Sequence, residues 1–447
     1  MEGIKSRRII KSPYLLFLPF LVIYVVLICL FSDSGYVGDE SRYIMFAENL
    51  LKGYYSPPPP ALDLGNSPGY PILLAPFVAM NLPFLFIKLL NAVLYYFSIV
   101  LVFKALLQLV SYRFSVIFSL IWAFYPTFYE LITFILPEVF AVFLVSLFLY
   151  TTIKIFKDKQ AKNVKYIILS GLSLGYLILT KPVFGYVLLC MMALIIVLLI
   201  FNKKDQNYQK SLAVLLLAFF INIPYLIYTY HLSGKVFYWS SFGGNNLYWM
   251  TTPYEAEYGD WMGFPADSLD IYRIQGSEKI INANHQKDFD EILMNEEVRK
   301  ANVIEGVIEY NLTKGFAQDD MFKKIAIRNI KEHPVKFLKN CLSNVGRMIF
   351  NYPVSYVPQK PSSLLRLPLN GTLVVLVLFC FIPTIMNWKK VIYPLRFLLF
   401  FMLLYFGGSI IGSADIRMFM MLVPFLLIWI AYTLSKSVRV SLHWNKP

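Results

Sequence analysis

Long apolar segments alternate with short polar connections along most of this chain. A helix needs roughly 17 to 25 apolar residues to cross the hydrocarbon core of a bilayer. The pattern therefore predicts about ten transmembrane helices, of which the third and the fifth are short for a span. The predicted spans lie near residues 13–31, 84–107, 114–129, 138–155, 166–180, 183–201, 211–230, 371–387, 394–412 and 418–434.

The first long connection, about residues 32–83, shows a second kind of periodicity. Ile44, Ala47 and Leu51 recur at helical spacing, and Gly53 is a natural helix stop. This spacing predicts an amphipathic helix that lies along the membrane interface.

Two further features complete the organisation of the chain. The Ser56–Pro60 stretch favours an extended polyproline II path, and a second interfacial helix is predicted to re-enter the membrane at Pro71. The only long polar stretch, about residues 231–369, predicts a small, mainly helical extracytoplasmic domain. It divides an N-terminal transmembrane module, residues 1–230, from C-terminal transmembrane helices in residues 370–447.

The composition supports an all-α polytopic membrane protein. Hydrophobic residues make up 57% of the 447 positions and charged residues only 15%, which is far too apolar for a soluble protein of this size. The net charge of +14 does not indicate nucleic-acid binding, because Lys and Arg fall in short clusters between apolar segments. Short cytoplasmic loops keep an excess of Lys and Arg. With both termini in the cytoplasm, every such cluster falls on the cytoplasmic side.

The opposite, outer face then receives ionisable side chains from several separate connections. They are Asp39, Glu40, Glu138, Lys181, Asp415 and Arg417. The spans avoid ionisable residues near their centres, which weighs against an ion-coupled transporter. This distribution favours a reaction at the lipid–water boundary, on a lipid-borne substrate of the kind that commonly bears a phosphate.

A displaced phosphate is best stabilised by Arg or Lys placed where its charge develops. Arg417 and Lys181 are the first candidates for this role, with Arg42 and Lys88 behind them. A hydroxyl or amine that attacks the carbon beside that phosphate also needs a base. Asp39, at a predicted helix start and outside the bilayer, is the candidate base.

Each of these residues also has a purely structural interpretation. Asp39 is suited to cap the helix that follows it. Glu138 follows Pro137 at the start of the fourth span, where the helix dipole favours an acid. Arg417 and Asp415 are close enough in sequence to form a surface ion pair. The sequence pattern leaves these alternatives open.

Five segments occur in an order that resembles one family. They are "GDESRYIMFAENLLKGYY", "NSPGYPILLAPF", "LPEVFAVFLV", "GGNNLYWMTTPYEAEYG" and "ADIRMFMMLVPFLLI", spread over residues 32–434. The combination resembles the GT-C superfamily of membrane glycosyltransferases. The resemblance is greatest to the bacterial branch similar to protein O-mannosyltransferases and lipid A aminoarabinose transferases, and it implies the GT-C fold.

The resemblance also implies roles for individual residues. Asp39 matches the essential acid and is the expected base, Glu40 is the adjoining acid that orients the acceptor or a cation, and Glu138 is a second acid near the site. Arg417 is expected to bind the carrier phosphate. The residues expected to line the cavity are Tyr43, Tyr70, Tyr248 and Asp415. For Tyr248, an interfacial aromatic belt is the alternative to sugar stacking.

The implied activity is inverting transfer of a sugar from a polyprenyl-phosphate donor to a glycan, lipid or protein acceptor. The expected location is the outer face of a bacterial inner membrane. No cofactor is required by the resemblance, although Asp39, Glu40 and Glu138 would suit a divalent cation if they converge. Two alternatives remain: a transporter or flippase of lipid-linked sugar, and an envelope glycan polymerase or ligase that uses a diphosphate-linked donor.

Overall fold

The computed structural model describes residues 12–32, 35–36, 38–58, 62–157, 164–263, 274–304, 307–308, 315–359 and 361–437. Within these ranges the protein is helical, apart from a two-residue antiparallel pair, β1 (Val303–Ile304) and β2 (Val307–Ile308). The helices of the first half are α1 (Pro13–Phe31), α2 (Glu40–Leu51), α3 (Gly69–Ala79), α4 (Phe84–Leu107), α5 (Tyr112–Ala123), α6 (Pro126–Leu131), α7 (Pro137–Lys157), α8 (Val164–Thr180), α9 (Val183–Phe201) and α10 (Gln206–Ser233). Those of the second half are α11 (Gly243–Met250), α12 (Ser277–Leu293), α13 (Glu296–Asn302), α14 (Phe316–Glu332), α15 (Pro334–Phe350), α16 (Pro361–Met386), α17 (Tyr393–Ile411), α18 (Ile416–Phe419) and α19 (Val423–Ser437), with a 3₁₀ turn at Trp388–Lys390.

These helices confirm an all-α, multi-pass membrane protein. Among the described residues, seven helices are long and apolar enough to cross a bilayer, namely α1, α4, α7, α9, α10, α16 and α17. Three further predicted spans coincide with shorter apolar helices, α5, α8 and α19.

Two predicted spans differ in detail from the structure. The span predicted at residues 114–129 is interrupted after Ala123, and a short second helix begins at Pro126. Proline lacks a backbone N–H and suits the first turn of a helix, so the chain restarts there instead of continuing. The span predicted at residues 418–434 likewise begins as the single turn α18 and restarts at Val423, beside Pro424.

Close helix packing in the centre of the bundle depends on small residues. α8 packs between α7 and α10. A Cβ atom at Gly171 would lie 2.6 Å from Leu217, and one at Gly175 would lie 2.7 Å from Ile221. Small residues at such crossings allow two backbones to approach, which is how helices associate where lipid removes the usual hydrophobic driving force.

The first outer connection contains the two helices that its sequence predicts. α2 ends at Leu51, and Gly53 follows with φ of +88°, a left-handed conformation that favours glycine. α2 packs against α3, which begins at Gly69, and Tyr43 contacts Tyr70 edge to face at 5.3 Å between ring centroids. Part of the predicted polyproline stretch, residues 59–60, lies outside the described residues.

The second outer region has its own apolar core. α11 packs against α14, and the core includes Trp249, Phe289, Phe322 and Ile325. A buried acid, Asp319 of α14, connects this helix to α11. Its carboxylate accepts hydrogen bonds from the Gly244 backbone N–H at 2.6 Å and from the Tyr238 hydroxyl at 3.1 Å. The division into residues 1–230, 231–369 and 370–447 stays a prediction.

Asp319 makes the stability of this region dependent on pH. Burial raises the pKa of the Asp319 carboxyl from 3.8 to about 6, against the hydrogen bonds that lower it. The folded state therefore binds more protons than the unfolded state between these two values, and stability falls as pH rises through them, by about 3 kcal/mol. We expect the thermal midpoint to fall by a few degrees between pH 4.5 and pH 7, and Asp319→Asn to reduce that fall. An unchanged pH slope in the variant would contradict this assignment.

Candidate functional site

Five ionisable side chains from four separate parts of the chain meet at one end of the bundle. The Arg417 guanidinium lies at their centre, with its Nη1 atom 3.6 Å from Asp39 Oδ2 and 3.9 Å from Glu138 Oε1, and its Nε atom 2.7 Å from Asp415 Oδ2. Lys181 Nζ donates to the same Glu138 Oε1 at 2.7 Å. We refer to Asp39, Glu138, Lys181, Asp415 and Arg417 as the Arg417 cluster.

The ends of the spanning helices bring this cluster together. Asp39 follows α1, Lys181 lies between α8 and α9, and Arg417 follows α17. Glu138 is in the first turn of α7, whose 21 residues extend about 30 Å. The basic residues at the last turn of α7, Lys157 among them, therefore lie at the opposite end of the bundle. This separation of basic loops from the cluster agrees with the charge distribution expected from the sequence.

Local backbone geometry fixes several members of the cluster. Asp415 caps the single turn α18 by accepting from the Arg417 backbone N–H at 2.8 Å, and it binds the Arg417 side chain as well. The ion pair between Arg417 and Asp415 that the sequence allowed is therefore present. Asp39 occupies the cap position of α2, yet its side chain makes no capping hydrogen bond and instead lies against Arg417. The capping interpretation of Asp39 is wrong.

Charge and exposure in the cluster are unequal. The Glu138 side chain is 2% exposed, whereas 36% of Arg417 and 54% of Asp39 are exposed. Burial alone would raise the pKa of Asp415, but the Arg417 guanidinium outweighs it and lowers that pKa. The Asp415 carboxylate in turn raises the pKa of Arg417 well above its ordinary value. Arg417 therefore presents a permanent positive charge, partly open, beside an exposed carboxylate.

Two buried oxygen atoms, one within the cluster and one near it, have no hydrogen-bond partner in the described structure. They are Glu138 Oε2 and the Tyr70 hydroxyl. Burial of the Tyr43 hydroxyl, together with the charges of Glu138 and Asp39, raises the pKa of Tyr43. Tyr43 and Tyr70 thus adjoin the acids, and their predicted place in the lining of a cavity stays a prediction.

The remaining predicted site residues have other surroundings. Glu40 is buried, and its Oε1 accepts from the Ile135 backbone N–H at 2.6 Å, so it attaches α2 to the segment that precedes α7. Arg42 forms an ion pair with Asp63 at 3.0 Å and lies 4.6 Å from the centre of the Phe242 ring. Lys88 is buried near the start of α4.

Tyr248 lies in the core of the outer region, away from the cluster contacts. Its hydroxyl is 2.5 Å from His285 Nδ1 and donates to Asp288 at 3.0 Å. His285 Nε2 is 2.9 Å from Glu257, whose side chain is fully buried. Burial alone would raise the pKa of Glu257, but the bond and charge of His285 lower it. Tyr248 is thus part of a buried hydrogen-bond network.

A metal site is not supported by this arrangement. Across the described ranges, no three or more His, Cys, Asp or Glu side chains are grouped so that they could hold a metal ion. Asp39 and Glu138 face the Arg417 guanidinium, and Glu40 accepts a backbone N–H. The three acids considered for a divalent cation are therefore directed at protein donors.

Two residues that the sequence pattern did not identify contact the segment bearing Asp415 and Arg417. Asn344 and Arg347, both on α15, form hydrogen bonds to the backbone at Ala414. The available signal was a pair of polar residues, three positions apart, on an otherwise apolar stretch of an amphipathic helix.

Sequence comparison connects the first half of the chain to a known family. Residues 20–238 match the model of the dolichyl-phosphate-mannose-protein mannosyltransferase family. This range includes Asp39, Glu138 and Lys181 but ends before Arg417. No curated protein sequence matches the chain.

Solved structures share the architecture. The oligosaccharyltransferase AglB from Archaeoglobus fulgidus in its apo form gives a TM-score of 0.51 at 13% identity, over 94% of this chain and 50% of that one. AglB in complex with an inhibitory peptide and a dolichol-phosphate gives 0.50, with the same identity and coverage. This chain therefore spans about half the length of AglB. ArnT from Cupriavidus metallidurans bound to undecaprenyl phosphate gives 0.38 at 13% identity, over 94% of this chain and 77% of ArnT.

The protein is a multi-pass membrane protein with the GT-C fold. The family match and the shared fold together confirm the resemblance to the GT-C superfamily of membrane glycosyltransferases.

Proposed function

We propose that this protein is an inverting glycosyltransferase that moves a sugar from a polyprenyl-phosphate carrier to a cell-surface glycan, lipid or protein. One observation supports this most directly: Arg417, partly exposed at one end of the bundle, lies beside both an exposed carboxylate, Asp39, and a buried one, Glu138. A cation that binds a leaving phosphate and a base that accepts a proton are the two groups such a transfer needs.

In the proposed reaction, the acceptor hydroxyl or amine attacks the anomeric carbon on the face opposite the phosphate. Its proton passes to the Asp39 carboxylate as the new bond forms. The bond between the anomeric carbon and the phosphate oxygen breaks, and its electron pair leaves with the polyprenyl phosphate. Arg417 stabilises the negative charge that develops on that phosphate. Attack on one face and departure from the other inverts the configuration at the anomeric carbon.

The other members of the cluster support these two groups. Glu138 is shared by Lys181 and Arg417, so it holds two cations on the same side of the site. Lys181, with 23% of its side chain exposed, is suited to contact the phosphate as a second cation. Glu40 helps to hold Asp39 in place, because it connects α2, the helix that follows Asp39, to the backbone of Ile135 just before α7.

The proposed location of the reaction is the outer face of a bacterial inner membrane. Lys154 and Lys157 lie in the last turn of α7, at the end opposite the Arg417 cluster. Positively charged loops tend to be retained in the cytoplasm, which supports an outer position for the cluster. The phosphate of a lipid carrier would then lie at the same depth in the membrane as Arg417, which is held at the ends of the spanning helices.

The proposal is tested by supplying the purified protein with chemically defined lipid donors. We expect sugar transfer from a polyprenyl-monophosphate sugar and release of polyprenyl phosphate, both detectable by mass spectrometry of the products. A diphosphate-linked oligosaccharide should not be used. Use of the diphosphate donor alone would favour a polymerase or ligase, and movement of either intact lipid across a vesicle membrane without sugar transfer would favour a flippase.

A further inference from the structure

The last residues of α17 and the connection from α17 to α18 form a segment whose backbone is held by side chains of another helix. This segment, residues 409–414, leads directly into Asp415 and Arg417. The last carbonyl groups of a helix have no partner within that helix and need donors from elsewhere. Here the donors come from α15, at the end of the outer region.

Asn344 supplies most of these contacts. Its Nδ2 atom donates to the carbonyl oxygens of Ser409 at 3.2 Å and Ile410 at 2.9 Å, and also to that of Gly412. Its Oδ1 atom accepts from the Ala414 backbone N–H at 3.0 Å. The side chain is 1% exposed, so no water competes for these bonds.

Arg347, one turn further along α15, completes the arrangement. Its Nε atom donates to the Ala414 carbonyl at 3.1 Å, and its Nη2 atom donates to Asn344 Oδ1 at 2.7 Å. Its Nη1 atom donates to the carbonyl oxygens of Tyr258 at 3.2 Å and Pro353 at 3.1 Å. Both polar groups of the Ala414 backbone, immediately before Asp415, are therefore fixed by α15, and the same guanidinium joins them to the outer region.

We infer that Asn344 and Arg347 are positioning residues that hold Arg417 where it can bind the phosphate of the lipid donor. This inference rests on the proposed function for its kinetic consequence. Asp415 fixes the Arg417 guanidinium by a 2.7 Å contact, so the position of residue 414 sets the position of both side chains. Arginine binds phosphate through a directional fork, and a small displacement of its backbone weakens that contact.

The chain contains a matched control on the same face of α15. Asn340 lies one turn before Asn344, is fully buried, and donates to the carbonyl oxygens of Met250 at 3.1 Å and Thr252 at 3.0 Å. Its bonds hold the outer region and do not contact residues 409–414. Asn340→Ala and Asn344→Ala therefore remove the same amide from equally buried sites but release different backbone segments.

The test combines hydrogen–deuterium exchange with donor kinetics on the full-length protein. In Asn344→Ala, backbone exchange should rise in residues 409–417, and the KM for a polyprenyl-phosphate sugar should rise about tenfold with a smaller change in kcat. Asn340→Ala should leave exchange in that segment and the donor KM close to those of the unsubstituted protein. Arg347→Lys keeps the charge but loses the fork, and should show the same changes at smaller size.

Several results would overturn the inference. Unchanged exchange in residues 409–417 of both Asn344→Ala and Arg347→Lys would remove the positioning role, as would equal effects of Asn340→Ala and Asn344→Ala. If Asn344→Ala does not fold, Arg347→Lys alone decides by the same two readouts. Absence of any transfer by the unsubstituted protein would reject the proposed function instead, while the exchange experiment would still decide whether α15 holds the segment.

Discussion

Asp39→Asn is expected to lower the turnover number by about 10²- to 10⁴-fold, the range that a positioned general base contributes. The change replaces one carboxylate oxygen with an amide, so the side chain keeps its size but can no longer accept the acceptor proton. Because 54% of the Asp39 side chain is exposed and it makes no capping bond to α2, folding should not depend on its charge. Initial rates with a polyprenyl-monophosphate sugar measure the effect directly.

A matched control separates this effect from a general loss of negative charge. Glu48→Gln makes the equivalent acid-to-amide change on the exposed surface of α2, the same helix that follows Asp39. Both variants should reach the membrane in normal amounts and keep the same thermal midpoint, and only Asp39→Asn should lose turnover. Near-normal turnover in Asp39→Asn would exclude this residue as the base.

Arg417→Ala is expected to reduce kcat/KM for the lipid donor by about 100-fold, the cost typical of removing one partner from a close charged contact. The loss has two physical sources. The donor phosphate loses its guanidinium, and Asp39, Glu138 and Asp415 lose the cation that lies among them. Their mutual repulsion should then also weaken the binding of any anionic ligand.

Arg417→Lys and Arg366→Ala are the two comparison variants for this prediction. Lysine keeps the charge without the planar fork, so Arg417→Lys should recover part of the donor affinity. Arg366 pairs with Glu130 at 3.3 Å outside the Arg417 cluster, and its removal should leave donor use unchanged. If the apparent affinity for the donor were the same in Arg417→Ala as in the unsubstituted protein, the phosphate-binding role would be rejected.

Much of the fold follows from patterns that depend only on local sequence. Apolar length predicts the spans, because an uncompensated backbone cannot stay in lipid. The positions of Lys and Arg then assign the loops to two sides, and this assignment placed Asp39, Glu138, Lys181 and Arg417 on one face. Their convergence in the structure follows from the topology, since the ends of neighbouring helices on one side of a bundle are close in space.

Other features depend on contacts between distant parts of the chain, which the hydrophobic periodicity of the sequence does not predict. Arg42 was a secondary candidate for phosphate binding, and in the structure it pairs with Asp63, which follows the proline-rich stretch in the sequence. Asn344 and Arg347 bind backbone carbonyl groups, and a carbonyl group is present at every residue, so the sequence does not identify the partner. Pro126 signals the break between α5 and α6. Because the residues on both sides of it are apolar, the hydrophobic pattern predicted one continuous span there.

The central claim is that the Arg417 cluster binds the phosphate of a lipid carrier at one end of the transmembrane bundle. A cryo-electron microscopy structure of the protein with bound polyprenyl phosphate tests this most directly. We expect phosphate oxygens about 3 Å from the Arg417 guanidinium, with the lipid chain leaving between the spanning helices. Phosphate density at the other end of the bundle, beside Lys154 and Lys157, would contradict it.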